Sequence, residues 1–220
     1  MNQRDATQTL DIEVISDFAC PWCLVGKRRL ERALAQSPGI AARVSWSPYQ
    51  LNPDMPREGR NRREYYLAKF GPERYRELRA HLEAAGAEDG IAFCDEPDAA
   101  APNTLSAHVL MLWGTAAEGV DENALAKRLF HAHHIACENI GDHEVLVRIA
   151  GESGLDPEDV RSRLAAHEDE ARANQRIAES VARGVGGVPY FVIDGRFAIS
   201  GAQPAEVLAA AFARVASGDA

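Results

Sequence analysis

Ser16–Arg28 reads SDFACPWCLVGKR and sets Cys20 and Cys23 three positions apart, with only Pro21 and Trp22 between them. Upstream, Leu10–Ser16 alternates Leu10, Ile12 and Val14 with Asp11 and Glu13, the period-two pattern of a half-buried strand. From Pro21 the period turns helical. Leu24, Leu30, Ala33 and Leu34 share one face, and Lys27, Arg28, Arg29, Glu31 and Arg32 share another. Pro38–Gly39 stops that helix, and ARVSWSPYQL supplies a second strand through Val44 and Trp46. The cysteines therefore sit at the first strand-to-helix junction of a βαβ unit.

That position suits redox chemistry. The first turn of a helix carries unpaired backbone N–H groups and the positive end of the helix dipole, which favour a thiolate, the reactive form of cysteine. Cys20 takes the nucleophilic role on this reading. Cys23, nearly one turn on, is placed to resolve a mixed disulfide on Cys20. Pro21 opens the helix without losing a needed N–H. Trp22 brings no charge, so the pair is expected to be less oxidising than a Cys-Pro-His-Cys version.

From about residue 57 to about 183 the chain reads as successive helices. Asn61 with Glu64 forms a capping pair, and Gly71–Pro72 separates two helices. Tyr75, Leu78, Leu82 and Ala85 form an apolar stripe that Gly86 is expected to end. Further helices are expected at about 103–118, 121–138, 142–151 and 156–183, the last broken near His167, with Asp121, Asp142 and Asp156 as N-caps. YFVIDGRFAIS then forms a hairpin around Asp194–Gly195, and Pro204 opens a final helix. The fold class is α/β: a thioredoxin-type core, βαβ then ββα, with a large all-helical insertion. Residues 1–56 and 184–220 are the two parts of the core. Residues 57–183 are the insertion, whose last helix is a candidate to return to the core.

In that order of elements Pro189, within GVGGVPYF, occupies the place where thioredoxin-type proteins hold a cis-proline opposite the redox pair. The Val188–Pro189 bond is expected to be cis, with the Val188 backbone pairing to an extended substrate segment. Val188, Pro21 and Trp22 are the expected substrate-binding residues.

A rival reading makes Cys20 and Cys23 half of a zinc site. Such a site needs four ligands, often from a second C-x2-C, and the chain has none; Cys94, His133 and Cys137 would have to serve. Cys94 and Cys137 otherwise read as lone thiols, with an oxidative crosslink as the alternative, and His131, His133 and His134 read as helix-face residues rather than ligands. Arg57–Arg79, with eight basic and four acidic residues, reads as a solvated face with pairs such as Glu58–Arg62. The Gly184–Gly187 cluster follows no strand, which argues against a dinucleotide loop.

Composition narrows the classes further. The 220-residue chain is 46% hydrophobic and 26% charged, with a net charge of −9, which argues against nucleic acid as a partner. MNQRDATQTLDIEVIS shows no apolar h-region, and no apolar run approaches the ~18 residues of a membrane span. With four cysteines, too few for a disulfide scaffold, the expectation is a cytoplasmic protein without a membrane partner. No metal or organic cofactor is expected, and glutathione is a candidate redox partner. The sequence carries no signal of oligomeric state.

Taken together, DFACPWCLVGKRRLERAL, QLNPDMPREG, KFG, NTLSAH, LFHAHH…NIGD, GVGGVPYFVIDG and ISGAQP, in this order, resemble the FrnE-like branch of the DsbA family of thiol–disulfide oxidoreductases. The resemblance runs from about residue 10 to about residue 212. It implies a thioredoxin fold with an inserted helical domain, Cys20 as attacking thiol, Cys23 as resolving thiol and Pro189 as the cis-proline, acting on a thiol- or disulfide-containing protein or small molecule. The same superfamily holds 2-hydroxychromene-2-carboxylate isomerases and kappa-class glutathione transferases. These typically carry serine where this chain has Cys20, lack a cysteine at Cys23, and show a Gly-Ser-Asp turn where this chain reads SGAQ. Ala136–Cys137 departs from a Glu-Gly-type step common in the family. The alternatives to disulfide exchange are thus a glutathione-dependent isomerase or transferase and, in a third class, a peptide-binding chaperone.

Overall fold

The computed structural model describes residues 8–218; the polar lead-in at residues 1–7 lies outside them. Four strands form the main sheet: β1 (Gln8–Ser16), β2 (Ile40–Pro48), and two that take the labels β5 (Tyr190–Ile193) and β6 (Phe197–Ser200). Their order is β2-β1-β5-β6, with β2 parallel and β5 antiparallel to β1, and β6 antiparallel to β5. Helix α1 (Pro21–Ala35) connects β1 to β2, and α9 (Ala205–Ser217) packs beside it. This is the thioredoxin core expected from the sequence.

Local chemistry accounts for these elements. Leu10, Ile12 and Val14 are buried on one face of β1, as alternation requires, but Ile15 and Ser16 are both buried, so the strand end is enclosed on both sides. The β5–β6 turn uses left-handed Asp194 and Gly195, at φ 49° and 66°.

Between β2 and β5 lie β3 (Arg60–Asn61), α2 (Arg62–Phe70), α3 (Pro72–Glu88), β4 (Ala100–Ala101), α4 (Leu105–Ala116), α5 (Glu122–His134), α6 (His143–Glu152), α7 (Pro157–Ala165) and α8 (Glu170–Ala182). The expected caps are in place. Asn61 accepts from the Glu64 N–H, and Asp121, Asp142 and Asp156 each accept from N–H groups in the first turn that follows. The α7–α8 break falls at His167, which is left-handed.

Three details differ from the sequence reading. The β3–β4 ribbon adds two-residue strands to a region read as wholly helical. Gly86 does not end α3; it is buried within the helix, where an added Cβ would meet the Phe93 ring at 2.7 Å, and the helix runs on to Glu88. Arg62 does not pair outward with Glu58 but donates to the Cys94 carbonyl at 2.9 Å.

Two apolar clusters hold the molecule. One lies between the sheet, α1 and α9, through Leu10, Ile12, Leu30, Phe191, Leu208 and Phe212. The other fuses the start of α1, through Phe18, Cys20, Cys23 and Val25, to the insertion helices, through Leu110, Leu129, Phe130 and Leu146. Trp46 packs against both. Helix α2 buries no residue and α3 buries only Leu82 and Gly86. The end of α3 is clasped at Asp89, whose buried carboxylate binds Arg29 at 2.6 Å and Arg32 at 3.0 Å, both on α1.

Candidate active site

The loop that delivers Cys20 is fixed from three sides. Asp17 is buried at the end of β1 and accepts from the Ala19 amide at 3.1 Å and the Leu51 amide at 2.8 Å. Burial alone would raise its carboxyl. The hydrogen bond and charge of His108, with these amides, outweigh burial and hold it below the usual carboxylate range. His108 also bonds the Tyr49 carbonyl at 2.9 Å, and His134 bonds the Phe18 carbonyl at 2.9 Å. Turn geometry does the rest: the Cys20 N–H donates to the Asp17 carbonyl at 3.0 Å, and Pro21 begins α1.

Cys20 is the N-cap residue, yet its side chain makes no capping hydrogen bond. Its sulfur instead lies 3.6 Å from the Val188 carbonyl, to which the thiol donates. The Val188–Pro189 bond is cis, and Pro189 rests on Gly26, where a Cβ would come within 2.8 Å of the proline Cγ. Cys20 and Cys23 are both free thiols. They differ in access. Cys20 lines a cavity of about 290 Å³, whereas Cys23 is 1% exposed and lies behind it. Burial pushes the Cys23 thiol well up, and its hydrogen bond to Cys20 and the charge there push the same way, so Cys23 keeps its proton until Cys20 is consumed.

Pro21 and Trp22 line the cavity beside Cys20, whereas Val188 meets the site through its carbonyl. The opposite wall comes from the insertion: Tyr66 and Phe70 of α2, Leu82 of α3, Phe93, Cys94, and His133 and His134 of α5. Among the described residues, three cations, Arg62, Lys69 and Arg79, reach the lining, and no carboxylate does. Arg79 is paired with Glu83 and Asp95, both at 2.8 Å. Lys69 binds Asn52 at 2.6 Å. With Arg79 offset by its two carboxylates, the cavity is an apolar slot whose rim takes its positive charge from Arg62 and Lys69, suited to a molecule with an apolar or thiol-bearing body and an anionic group.

His133 and His134 do stand on a helix face, and it is the face of α5 turned to the core. They are buried, His133 being lowered to about 4 by burial and the charge of Arg62, and His134 being held well below its usual value by burial and by the charge of His133. A signal was available: they stand four residues after Leu129 and Phe130 on the apolar face of α5. One sequence expectation is corrected here: Cys94 and Cys137 are not lone thiols; they form a disulfide with a Cα–Cα distance of 5.6 Å, which occupies the sulfurs a zinc site would have recruited. His131 is exposed.

The DSBA-like thioredoxin domain matches residues 11–213 of this chain. A probable DsbA oxidoreductase of Streptomyces coelicolor is 31% identical, with a TM-score of 0.85 over 96% of this chain and 91% of that one. A 2-hydroxychromene-2-carboxylate isomerase is 18% identical, with a TM-score of 0.71 over 95% of this chain and 97% of that one. The cytosolic disulfide reductase DsbM of Pseudomonas aeruginosa, solved with GSH, is 18% identical, with a TM-score of 0.57 over 86% of this chain and 89% of that one.

Proposed function

The chain belongs to the family of DSBA-like thioredoxin domains and is a thiol–disulfide oxidoreductase, and from that premise we propose that it works through Cys20 and Cys23, in the manner of the FrnE-like branch. The observation that carries this reading is the unequal access of the two sulfurs: Cys20 faces the cavity and the Val188 carbonyl, and Cys23 lies enclosed behind it. In the reducing direction the Cys20 thiolate attacks a substrate disulfide, forming a mixed disulfide and releasing one substrate thiolate, which takes up a proton. Cys23 then gives up its proton and attacks the Cys20 sulfur, forming Cys20–Cys23 and releasing the second substrate thiolate. In the oxidising direction the same steps run backward. The Val188 backbone receives an extended substrate, and Pro21 and Trp22 flank it. No resident cofactor takes part.

Glutathione fits as a redox partner, because its carboxylates match the cationic rim and DsbM, a structural neighbour, was solved with GSH. A cytoplasmic setting is in keeping with this chemistry. Among the described residues no helix is long and apolar enough to cross a membrane.

The test is trapping. Cys23→Ser is expected to accumulate mixed disulfides on Cys20, visible as mass adducts removed by reductant, while Cys20→Ser accumulates none. Titration against glutathione redox buffers should show a two-electron transition that Cys20→Ser abolishes. Absence of both adducts and transition would move the function to the second reading, a glutathione-dependent isomerase, which the similarity to the 2-hydroxychromene-2-carboxylate isomerase fold favours. Turnover of that substrate with glutathione would then be measured.

A further inference from the structure

The Cys94–Cys137 disulfide lies at the active-site cavity. Cys94 is among the residues that line it with Cys20, whereas Cys137 is half-buried and is not. One residue links the two centres: the His134 carbonyl accepts from the Cys94 N–H at 2.7 Å, and its ring bonds the Phe18 carbonyl in the loop leading to Cys20. Beside the disulfide stands Arg62, half-buried, with the charges of Arg79 and Asp95 near it. Its Nη2 donates to the Cys94 carbonyl and reaches the Cys94 sulfur at 3.2 Å. A guanidinium at a sulfur stabilises a thiolate there and makes that sulfur a better leaving group. In a reducing compartment a persistent disulfide is more often catalytic or sensing than structural.

We infer that Cys94–Cys137 is a second redox-active disulfide, opened from the active-site cavity by small anionic thiols and exchanging its oxidation with Cys20 and Cys23 through them. The inference rests on the proposed role of Cys20 and Cys23.

The exchange has three steps. A thiolate RS⁻ held at the cationic rim attacks the Cys94 sulfur; an R–S–S–Cys94 bond forms, the Cys94–Cys137 bond breaks, and Cys137 leaves as a thiolate that takes a proton from water. The Cys20 thiolate then attacks the sulfur of R, forming Cys20–S–S–R, and Cys94 leaves as a thiolate beside Arg62. Cys23 loses its proton to solvent and attacks Cys20, closing Cys20–Cys23 and returning RS⁻. Two electrons pass from the Cys20/Cys23 pair to the Cys94/Cys137 pair, and the small thiol is regenerated. The reverse sequence carries oxidation the other way.

The experiment uses the full-length chain with a sub-stoichiometric amount of 2-mercaptoethanesulfonate under anaerobic conditions, followed by acid quenching, alkylation and peptide mass mapping. One sample starts with Cys94–Cys137 bonded and the other pair reduced; the other is fully reduced chain given one equivalent of diamide. Both are expected to converge on the same distribution of the two disulfides, and to do so about tenfold faster with 2-mercaptoethanesulfonate than with cationic cysteamine at equal thiolate concentration. Arg62→Gln is expected to slow convergence about tenfold, with Arg62→Lys recovering part of the rate. In Cys20→Ser/Cys23→Ser the probe in excess should still open Cys94–Cys137 in the folded protein.

If Cys94–Cys137 opens only in denaturant, in both proteins, the bond is a structural crosslink and the inference is overturned, while the role of Cys20 and Cys23 stands. Opening without convergence overturns the exchange. Cys20 and Cys23 inert toward hydroxyethyl disulfide would instead sink the function proposed above.

Discussion

His133 shows how burial, helped by the charge of Arg62, sets a side chain's chemistry. In the unfolded chain it titrates near 6.5, whereas in the folded cavity wall it is lowered to about 4. Between those values the unfolded state binds a proton that the folded state refuses, so stability is full above pH 6.5 and falls as pH drops toward 4. Moving from pH 7.5 to pH 5 is expected to cost about 2 kcal/mol at His133, and His134 adds in the same direction. Urea denaturation at the two pH values checks this, with His133→Gln flattening the dependence by about that amount. Equal pH dependence in the variant would assign the loss to other groups. Asp17 acts lower on the scale. Its folded value is depressed, so its contribution is present above the ordinary carboxylate range and lost as pH falls below it.

At the scale of elements, α1 is the piece whose placement makes the site, and it packs closely because Gly26 has no Cβ. A methyl there would meet Pro189 at 2.8 Å and the Phe191 ring at 3.2 Å. Gly26→Ala is expected to lose about 1–3 kcal/mol in urea denaturation and to slow reaction of Cys20 with a disulfide probe, because the added carbon displaces Pro189. Unchanged stability would mean that the proline shifts freely. The helix itself was legible in the sequence, because a proline start, an apolar face and a Pro-Gly stop are local signals. So were the aspartate caps, whose bonds span two or three residues, and the Asp194–Gly195 turn. The Cys94–Cys137 bond was not: its partners are 43 residues apart, and only the packing of α5 against the segment after α3 brings them together. The inward turn of Arg62 was hidden for the same reason, since its partner is a carbonyl remote in sequence.

For the molecule as a whole, the sheet and the insertion share structure that sequence boundaries near residues 56 and 184 do not suggest. Phe130 of α5 packs on Phe18 with ring centroids 4.9 Å apart and on Trp46 at 6.0 Å, and the Trp46 indole donates to Asn123 at 2.9 Å. Hydrogen exchange is expected to give β1 and α4 the same opening free energy, and Phe130→Ala to lower both by about 3–5 kcal/mol. Loss of protection in α4 with β1 unchanged would show two independently folding units. Against this joint core, α2 and α3 bury little: α2 is tied by polar bonds from Arg62 to Cys94 and from Tyr65 and Lys69 to Asn52, and the end of α3 by Asp89 to α1. The cavity wall that faces Cys20 is thus the part of the molecule with least apolar surface to hold it, and amide exchange is expected to be faster in α2 than in α4. A polypeptide substrate that needs more room at Cys20 would find it by displacing this wall rather than the joint core.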